Sequence, residues 1–289
     1  MTRIDDLLAA GPTTSFEFFP PKTDAGEARL RQTLRELEAL KPSFVSITYG
    51  AGGGTRDRTH RLVVDILEKT SMPPMAHLTT VSHTRAELRD ILARYRDAGV
   101  RNIMALRGDA PADADEVFYA VEQAAGLVEL AREVGGDRFA IGVAAHPEGH
   151  PASTDLATDR RHLAAKLAVA DFAVTQFFFD VEDYVRMVDE LAALGCDKPI
   201  VPGVMPVTNV RQIERFAEMS GAAFPVELAE RLHAVEHDEQ QVRHIGVEVA
   251  TQLCADLLEA GAPGLHFYTL NRSTATQKIH ANLRSWQAA

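Results

Sequence analysis

Phe44-Val45-Ser46-Ile47-Thr48-Tyr49, then the run RDRTHRLVVDILEK over 56–69, then Met75-Ala76-His77-Leu78-Thr79-Thr80, make one strand–helix–strand period. The outer runs are short and rich in β-branched and aromatic residues. The middle run is longer and spaces its apolar residues by three and four. The period repeats in both directions. Strand-like runs fall at Ser15–Phe19, Phe44–Tyr49, Met75–Thr80, Asn102–Arg107, Phe139–Ala145, Phe172–Phe179, Ile200–Met205 and Leu265–Leu270, eight in all. Amphipathic stretches such as Glu27–Leu40, Arg56–Lys69, Thr84–Ala98 and Val117–Val134 lie between them, and Leu30, Leu34, Leu37 and Leu40 share one helix face. Ala98-Gly99 and Leu194-Gly195 read as left-handed helix caps. Lys41-Pro42 and the segment from Thr70 to Pro74 read as helix stops.

Eight such units predict an α/β (β/α)8 TIM barrel. A doubly wound sheet would carry a glycine fingerprint after its first strand. Here Pro20-Pro21-Lys22 follows instead, which cannot cradle a pyrophosphate with backbone N–H groups. Between Met205 and Gly264 there is room for two or three helices, one more than a repeat needs, which predicts a helical insertion between strands 7 and 8. No linker or low-complexity block divides the chain, so residues 1–289 are expected to form one catalytic domain with no regulatory domain.

Composition narrows the function. Thirty basic residues stand against 41 acidic ones, a formal charge of −11, which excludes a protein that coats nucleic acid. A hydrophobic share of 46% with 25% charged residues excludes wholesale disorder. No apolar run approaches the roughly 18 residues that a membrane span needs. The opening MTRIDDLLAAG is too short in its apolar part for a signal peptide and carries two aspartates, so the cytoplasm is the expected location. The two cysteines, Cys196 and Cys254, make neither a disulfide framework nor a four-cysteine zinc site and read as buried spectator thiols.

In such a barrel, chemistry collects at the C-terminal ends of the strands. The polar residues there are Glu17, Thr48-Tyr49, His77 with Thr79, Arg107-Gly108-Asp109, His146 with His150, Gln176, and Asn271-Arg272. Glu17 is an acid among three phenylalanines. Desolvation should raise its pKa towards neutrality, as suits a general acid; an outward orientation or a structural ion pair is the competing reading. Arg107 with Asp109 is either a charged pair at the mouth or one internal salt bridge. Gly50 to Thr55 lacks the lysine of a phosphate loop and reads as a turn that lets a flat ligand approach the backbone. His146 and His150 lie in a loop broken by Pro147 and Gly149 without an evident third ligand, and no metal is assigned. His233, His237 and His244 read as a solvated face, and Tyr184, Met187 and Leu191 as core. No nucleophile elbow and no strand-end lysine appears, so acyl transfer and Schiff-base chemistry are disfavoured. What remains suits a flat heteroaromatic ligand and the movement of a proton or hydride.

Several of these segments resemble one family. Ser15-Phe16-Glu17-Phe18-Phe19-Pro20-Pro21, Tyr49-Gly50-Ala51 with Arg56-Asp57-Arg58-Thr59-His60, His77-Leu78-Thr79, Ala105-Leu106-Arg107-Gly108-Asp109, Thr175-Gln176-Phe177-Phe178-Phe179-Asp180 and His266-Phe267-Tyr268-Thr269-Leu270-Asn271-Arg272 are similar, in order, to the methylenetetrahydrofolate reductase family. The resemblance implies a barrel that reduces 5,10-methylenetetrahydrofolate to 5-methyltetrahydrofolate with NAD(P)H, usually through bound FAD. It implies that Glu17 is the general acid that protonates N10, and that Asp109 is the carboxylate that recognises the pterin. It places Gln176 against pterin and nicotinamide in turn, Gln212 and Phe216 on the folate, and Arg272 near its aminobenzoyl-glutamate end. Thr48 matches a nicotinamide-nucleotide contact, with Tyr49 and Ala51 beside it in the cofactor set.

His77, Arg107, Gly108, Ala120, His150, Asp159 and Lys166 keep the family's FAD-contact pattern. The chain departs from it where His146 stands for the usual tyrosine and Val121 for a small hydroxyl residue. It departs again in the segment 163–171, which is one residue short and has Ala165 where a basic residue is common. The expectation is therefore direct hydride transfer from NADH, with NADPH as the other donor and little or no bound FAD. The alternatives are ping-pong transfer through FAD, a related barrel using a deazaflavin donor, and a folate-binding protein without turnover. Small-molecule substrates and a monomer or small homo-oligomer are expected, with neither nucleic acid nor membrane as partner.

Overall fold

The structure, a computed structural model, describes residues 2–49, 53–108, 119 and 124–287. Three expected site residues, Ala51, Asp109 and Ala120, lie outside the described residues, as do Gly50, Gly52 and Val121. The chain begins with α1 (Ile4–Ala10), β1 (Thr13–Phe18), α2 (Asp24–Glu38), β2 (Phe44–Ile47), α3 (Gly53–Lys69), β3 (Pro74–Thr79), α4 (Arg85–Asp97) and β4 (Asn102–Leu106). It continues with α5 (Ala124–Gly135), β5 (Ala140–Ala145), α6 (Leu156–Val169), β6 (Phe172–Phe177), α7 (Val181–Ala193) and β7 (Ile200–Val204). Then come α8 (Val210–Ser220), α9 (Val226–His233), α10 (Glu239–Glu259), β8 (Gly264–Tyr268) and α11 (Thr274–Gln287). The eight strands are parallel and close in sequence order, with β1 paired to both β2 and β8. The predicted (β/α)8 barrel is the observed one.

Strand alternation sorts side chains into two layers. Phe16, Phe18, Val45, Ile47 and Leu78 point outward and pack on helix residues such as Leu34 and Ile66. Phe44, Met75, Met104, Phe172 and Val201 point inward and fill the lower barrel. Ile4 and Leu8 of α1 close that end from below, and the Ile4 N–H donates to Asn102 Oδ1 at 2.9 Å. The lower half is thus largely apolar, with the buried Asn102 amide as a polar tie at its base, and the ionisable interior groups lie towards the C-terminal mouth.

Some boundaries differ from the sequence reading. The strands end at Phe18, Ile47, Leu106, Phe177, Val204 and Tyr268, one or two residues early, because the chain turns outward there to form the mouth. A helix in the opening segment was not foreseen. Seven residues are too few to read as periodic, and α1 holds through burial of Ile4 and Leu8, about 1.5–3 kcal/mol each. The insertion holds α8 and α9 in addition to the crossover helix α10, two more helices than a repeat needs, around their own core of Phe177, Ile213, Leu232 and Val242. The helix after β4 is described only from Ala124.

Other expectations hold. Gly99 and Gly195 take left-handed φ values of 86° and 77°. Tyr184, Met187 and Leu191 are core, and His233 is exposed between Glu214 and Glu236. Cys254 is buried, which pushes its thiol pKa well up, whereas Cys196 is only half-buried. Among the described residues no helix is long and apolar enough to cross a membrane.

Candidate active site

Alternation along β1 decides where the acid points. Phe16 and Phe18 face the helices, so Ser15 and Glu17 face the barrel interior. Register then sets their neighbours: Glu17 lies beside Ser46 on β2, and Ser15 beside His266 on β8. The Ser46 hydroxyl donates to Glu17 Oε2 at 3.2 Å. His77 Nε2 and His266 Nε2 stand 3.4 and 3.5 Å from the same oxygen. Among the described residues no arginine pairs with Glu17.

Ser15 completes the cluster. Its hydroxyl donates to the Leu265 carbonyl and lies 2.8 Å from His266 Nδ1. His266 thus bridges Ser15 and Glu17 through its two ring nitrogens.

The electrostatics correct the sequence reading of Glu17. Burial is the largest influence and favours the neutral form. The His266 hydrogen bond, the charges of His77 and His266 when protonated, and the Ser46 hydroxyl outweigh it, and hold the carboxyl below its ordinary value. Its partners come from three other strands, which a local reading of three phenylalanines could not supply. His77 is also held low, by burial, although Glu17 opposes that shift.

Above Glu17 opens a cavity of about 590 Å³, walled by Met75, Met104, Val174, Met205 and Phe216 and edged by Thr48, Tyr49, Gly108 and His146. Gln176 reaches into it from β6. Its Oε1 accepts from the Phe177 N–H at 3.0 Å, which orients the amide NH2 as a donor. A second cavity of about 690 Å³ adjoins it between β5 and α6 and shares His146. Arg107, exposed and stacked 4.5 Å over Tyr119, lines it with His150, Asp159, His162 and Lys166. Among the described residues no group of three His, Cys, Asp or Glu side chains could hold a metal.

The family model for methylenetetrahydrofolate reductase matches residues 3–284. The chain belongs to the methylenetetrahydrofolate reductase family. The 5,10-methylenetetrahydrofolate reductase of Pectobacterium carotovorum is 41% identical over 92% of this chain and 88% of its own, and that of Escherichia coli 40% over the same shares. A probable NADH-dependent methylenetetrahydrofolate reductase of Oryza sativa is 34% identical over 97% of this chain and half of its own. In fold, a Clostridium thermocellum protein that binds two copies of 5-methyl-5,6,7,8-tetrahydrofolic acid aligns over 99% of both chains with a TM-score of 0.66, at 14% identity.

The expected site residues therefore fall into three groups. Glu17, Thr48, Tyr49, His77, Gly108, His146, Gln176 and Phe216 share the main cavity. Arg107, His150, Asp159 and Lys166 share the adjoining one with His146. Arg272 lines a small cleft at the rim, and Gln212 is exposed on the first turn of α8, one turn above Phe216 and off the cavity wall.

Ser15, Ser46, His266 and Arg160 were missed. The first three sit on strands at inward positions, and only the register reveals that they converge. Arg160 is 2% exposed. It bonds Glu190, Asp159 and the carbonyls of His146 and Pro147, and so fixes the His146 loop. Asp159 accepts from the His150 N–H and the Ser153 hydroxyl, and its role here is to tie down the same loop.

Proposed function

We propose that this protein reduces 5,10-methylenetetrahydrofolate to 5-methyltetrahydrofolate with hydride passed directly from NADH. The observation that carries the reading is the buried Glu17 carboxyl, set 3.4 and 3.5 Å from His77 and His266, at the floor of a largely apolar cavity. Glu17, protonated as the reactive complex forms, delivers its proton to N10. The bond from N10 to the bridging carbon breaks with its electron pair going to N10, which leaves a 5-iminium cation. Hydride from nicotinamide C4 adds to the iminium carbon, giving the N5-methyl group and NAD⁺. His266, backed by Ser15, orients the carboxyl. The Gln176 amide serves pterin and nicotinamide edges, Phe216 stacks on the folate, and Thr48 and Tyr49 border the nicotinamide. Asp109 is assigned the pterin-recognising carboxylate on the resemblance alone. The NADH assignment is supported by the naming of the rice relative.

A resident FAD matches the β5–α6 cavity poorly. Its diphosphate carries two negative charges. The Lys166 ammonium there is buried, donates to the Ala144 carbonyl at 2.8 Å, and is held below its ordinary value by desolvation. His146 is neutral, pushed down to about 4 by burial and by the charges of His150 and Lys166. The one guanidinium among the described residues lining this cavity is Arg107, stacked over Tyr119 at its exposed edge, and Arg160 behind the His146 loop is already occupied by Glu190 and Asp159. No step is therefore routed through flavin.

The size of this cavity, about 690 Å³, favours a second reading, the same reduction by ping-pong through FAD. The visible spectrum of the purified protein separates the two. We expect no flavin bands, none released on denaturation, and folate-dependent NADH oxidation without added FAD. Stoichiometric flavin, or turnover only when FAD is supplied, overturns direct transfer. A protein that binds folate without oxidising NADH or NADPH overturns the reductase reading itself.

A further inference from the structure

Between β3 and α4 runs the segment Thr80-Val81-Ser82-His83, which meets the mouth of the barrel on two sides. On the β4 side it is fixed through the backbone. The Thr80 and Val81 N–H groups and the Thr80 hydroxyl all donate to the Arg107 carbonyl. Val81 bridges to Tyr119, and it stands so close to Gly108 that a methyl group added there would have no room. Just after His83, Thr84 and Glu87 form the reciprocal cap that starts α4. The segment is a strut held at both ends.

His83 ends that strut and is fully buried. Its Nδ1 lies 2.7 Å from the Val81 carbonyl. A carbonyl only accepts, so the hydrogen sits on Nδ1. In the neutral ring Nε2 is then an acceptor, and the Tyr49 hydroxyl donates to it at 2.8 Å. The two rings also meet, with centroids 5.5 Å apart and planes tilted by 49°. Tyr49 stands past Ile47, the last paired residue of β2, and edges the main cavity. An aromatic ring at such a rim has several rotamers open to it, and a hydrogen bond at its tip selects one.

We propose that His83 is a positioning residue for the hydride donor: it holds the Tyr49 hydroxyl and so fixes the ring against which the nicotinamide lies. The proposal rests on the reading above, in which Tyr49 borders the nicotinamide. His83 lines neither the main cavity nor the adjoining one, so it acts on the donor only through what it holds. Phe216, on the folate in the same reading, stands on α8, outside this strut.

The test measures KM for NADH, KM for methylenetetrahydrofolate and kcat in Tyr49→Phe, His83→Leu, His83→Gln and the double variant Tyr49→Phe/His83→Leu, with thermal unfolding of each. Loss of the orienting hydrogen bond predicts a KM for NADH raised about tenfold in Tyr49→Phe and in His83→Leu, with the folate KM within about twofold of wild type. The double variant should be no worse than either single one, since both remove the same contact. His83→Gln, whose amide oxygen reaches about as far as Nε2 and accepts, should recover most of the loss. Tyr49→Phe deletes a single oxygen at the cavity rim and keeps the test open if His83→Leu does not fold. An unchanged NADH KM in Tyr49→Phe, effects that add in the double variant, or a His83→Leu protein that is only less stable overturns the positioning role and leaves the reductase reading standing. A wild type that oxidises NADH only through bound flavin, recognised by its spectrum, overturns the direct-transfer reading and the proposal with it.

Discussion

Glu17→Gln lowers kcat/KM by about 10²- to 10⁴-fold, the usual contribution of a positioned proton donor. The amide keeps the shape of the carboxyl and still accepts from Ser46, so the fold and folate binding persist. What it cannot do is hand a proton to N10. The structure adds a condition. In the empty barrel the carboxyl lies below its ordinary value, so near neutrality it is an anion. Formation of the reactive complex must therefore take up about one proton. It follows that kcat/KM rises as pH is lowered towards the carboxyl's own value and falls as pH rises above it. Calorimetric titration with folate in buffers of different ionisation enthalpy reads the uptake directly. Wild-type proton uptake that disappears in Glu17→Gln, together with the loss of rate, supports the assignment. Undiminished turnover in the variant removes Glu17 as the donor.

Gly246→Ala is expected to destabilise the protein by about 3 kcal/mol, at the upper end for overpacking. A methyl group added at Gly246 would stand well inside contact distance of the Val207 carbonyl oxygen. Backbone cannot rotate away as a side chain can, so α10 has to shift off the loop after β7. That loop and α8 share a core with Phe177 and Val242, and α8 carries Phe216 into the cavity wall. Activity should fall with stability, through a raised KM for folate. Denaturant unfolding with an unchanged midpoint would show that α10 does not seat against Val207 as described.

The barrel was legible because each strand–helix unit announces itself locally. Apolar strands, periodic helices, and glycines at 99 and 195 all agree with one fold. Glu17 was legible as a position because an acid within a phenylalanine run is costly unless it has a purpose. Its electrostatics were not. Ser46, His77 and His266 belong to other strands, separated from it by 29, 60 and 249 residues, and closure of the barrel alone aligns them. Gly246 carried a faint signal, since a glycine within a helix costs about 1 kcal/mol and needs a reason. The α1 plug carried almost none, because its two anchoring residues act only through the barrel they close.

Direct hydride transfer is tested most sharply by isotope. A single turnover with NADH carrying deuterium at both C4 positions, in ordinary water, should deliver one deuterium in full to the methyl group of 5-methyltetrahydrofolate. A methyl group that has lost the label to solvent would contradict the account, because an exchangeable carrier would then stand between the nicotinamide and the folate.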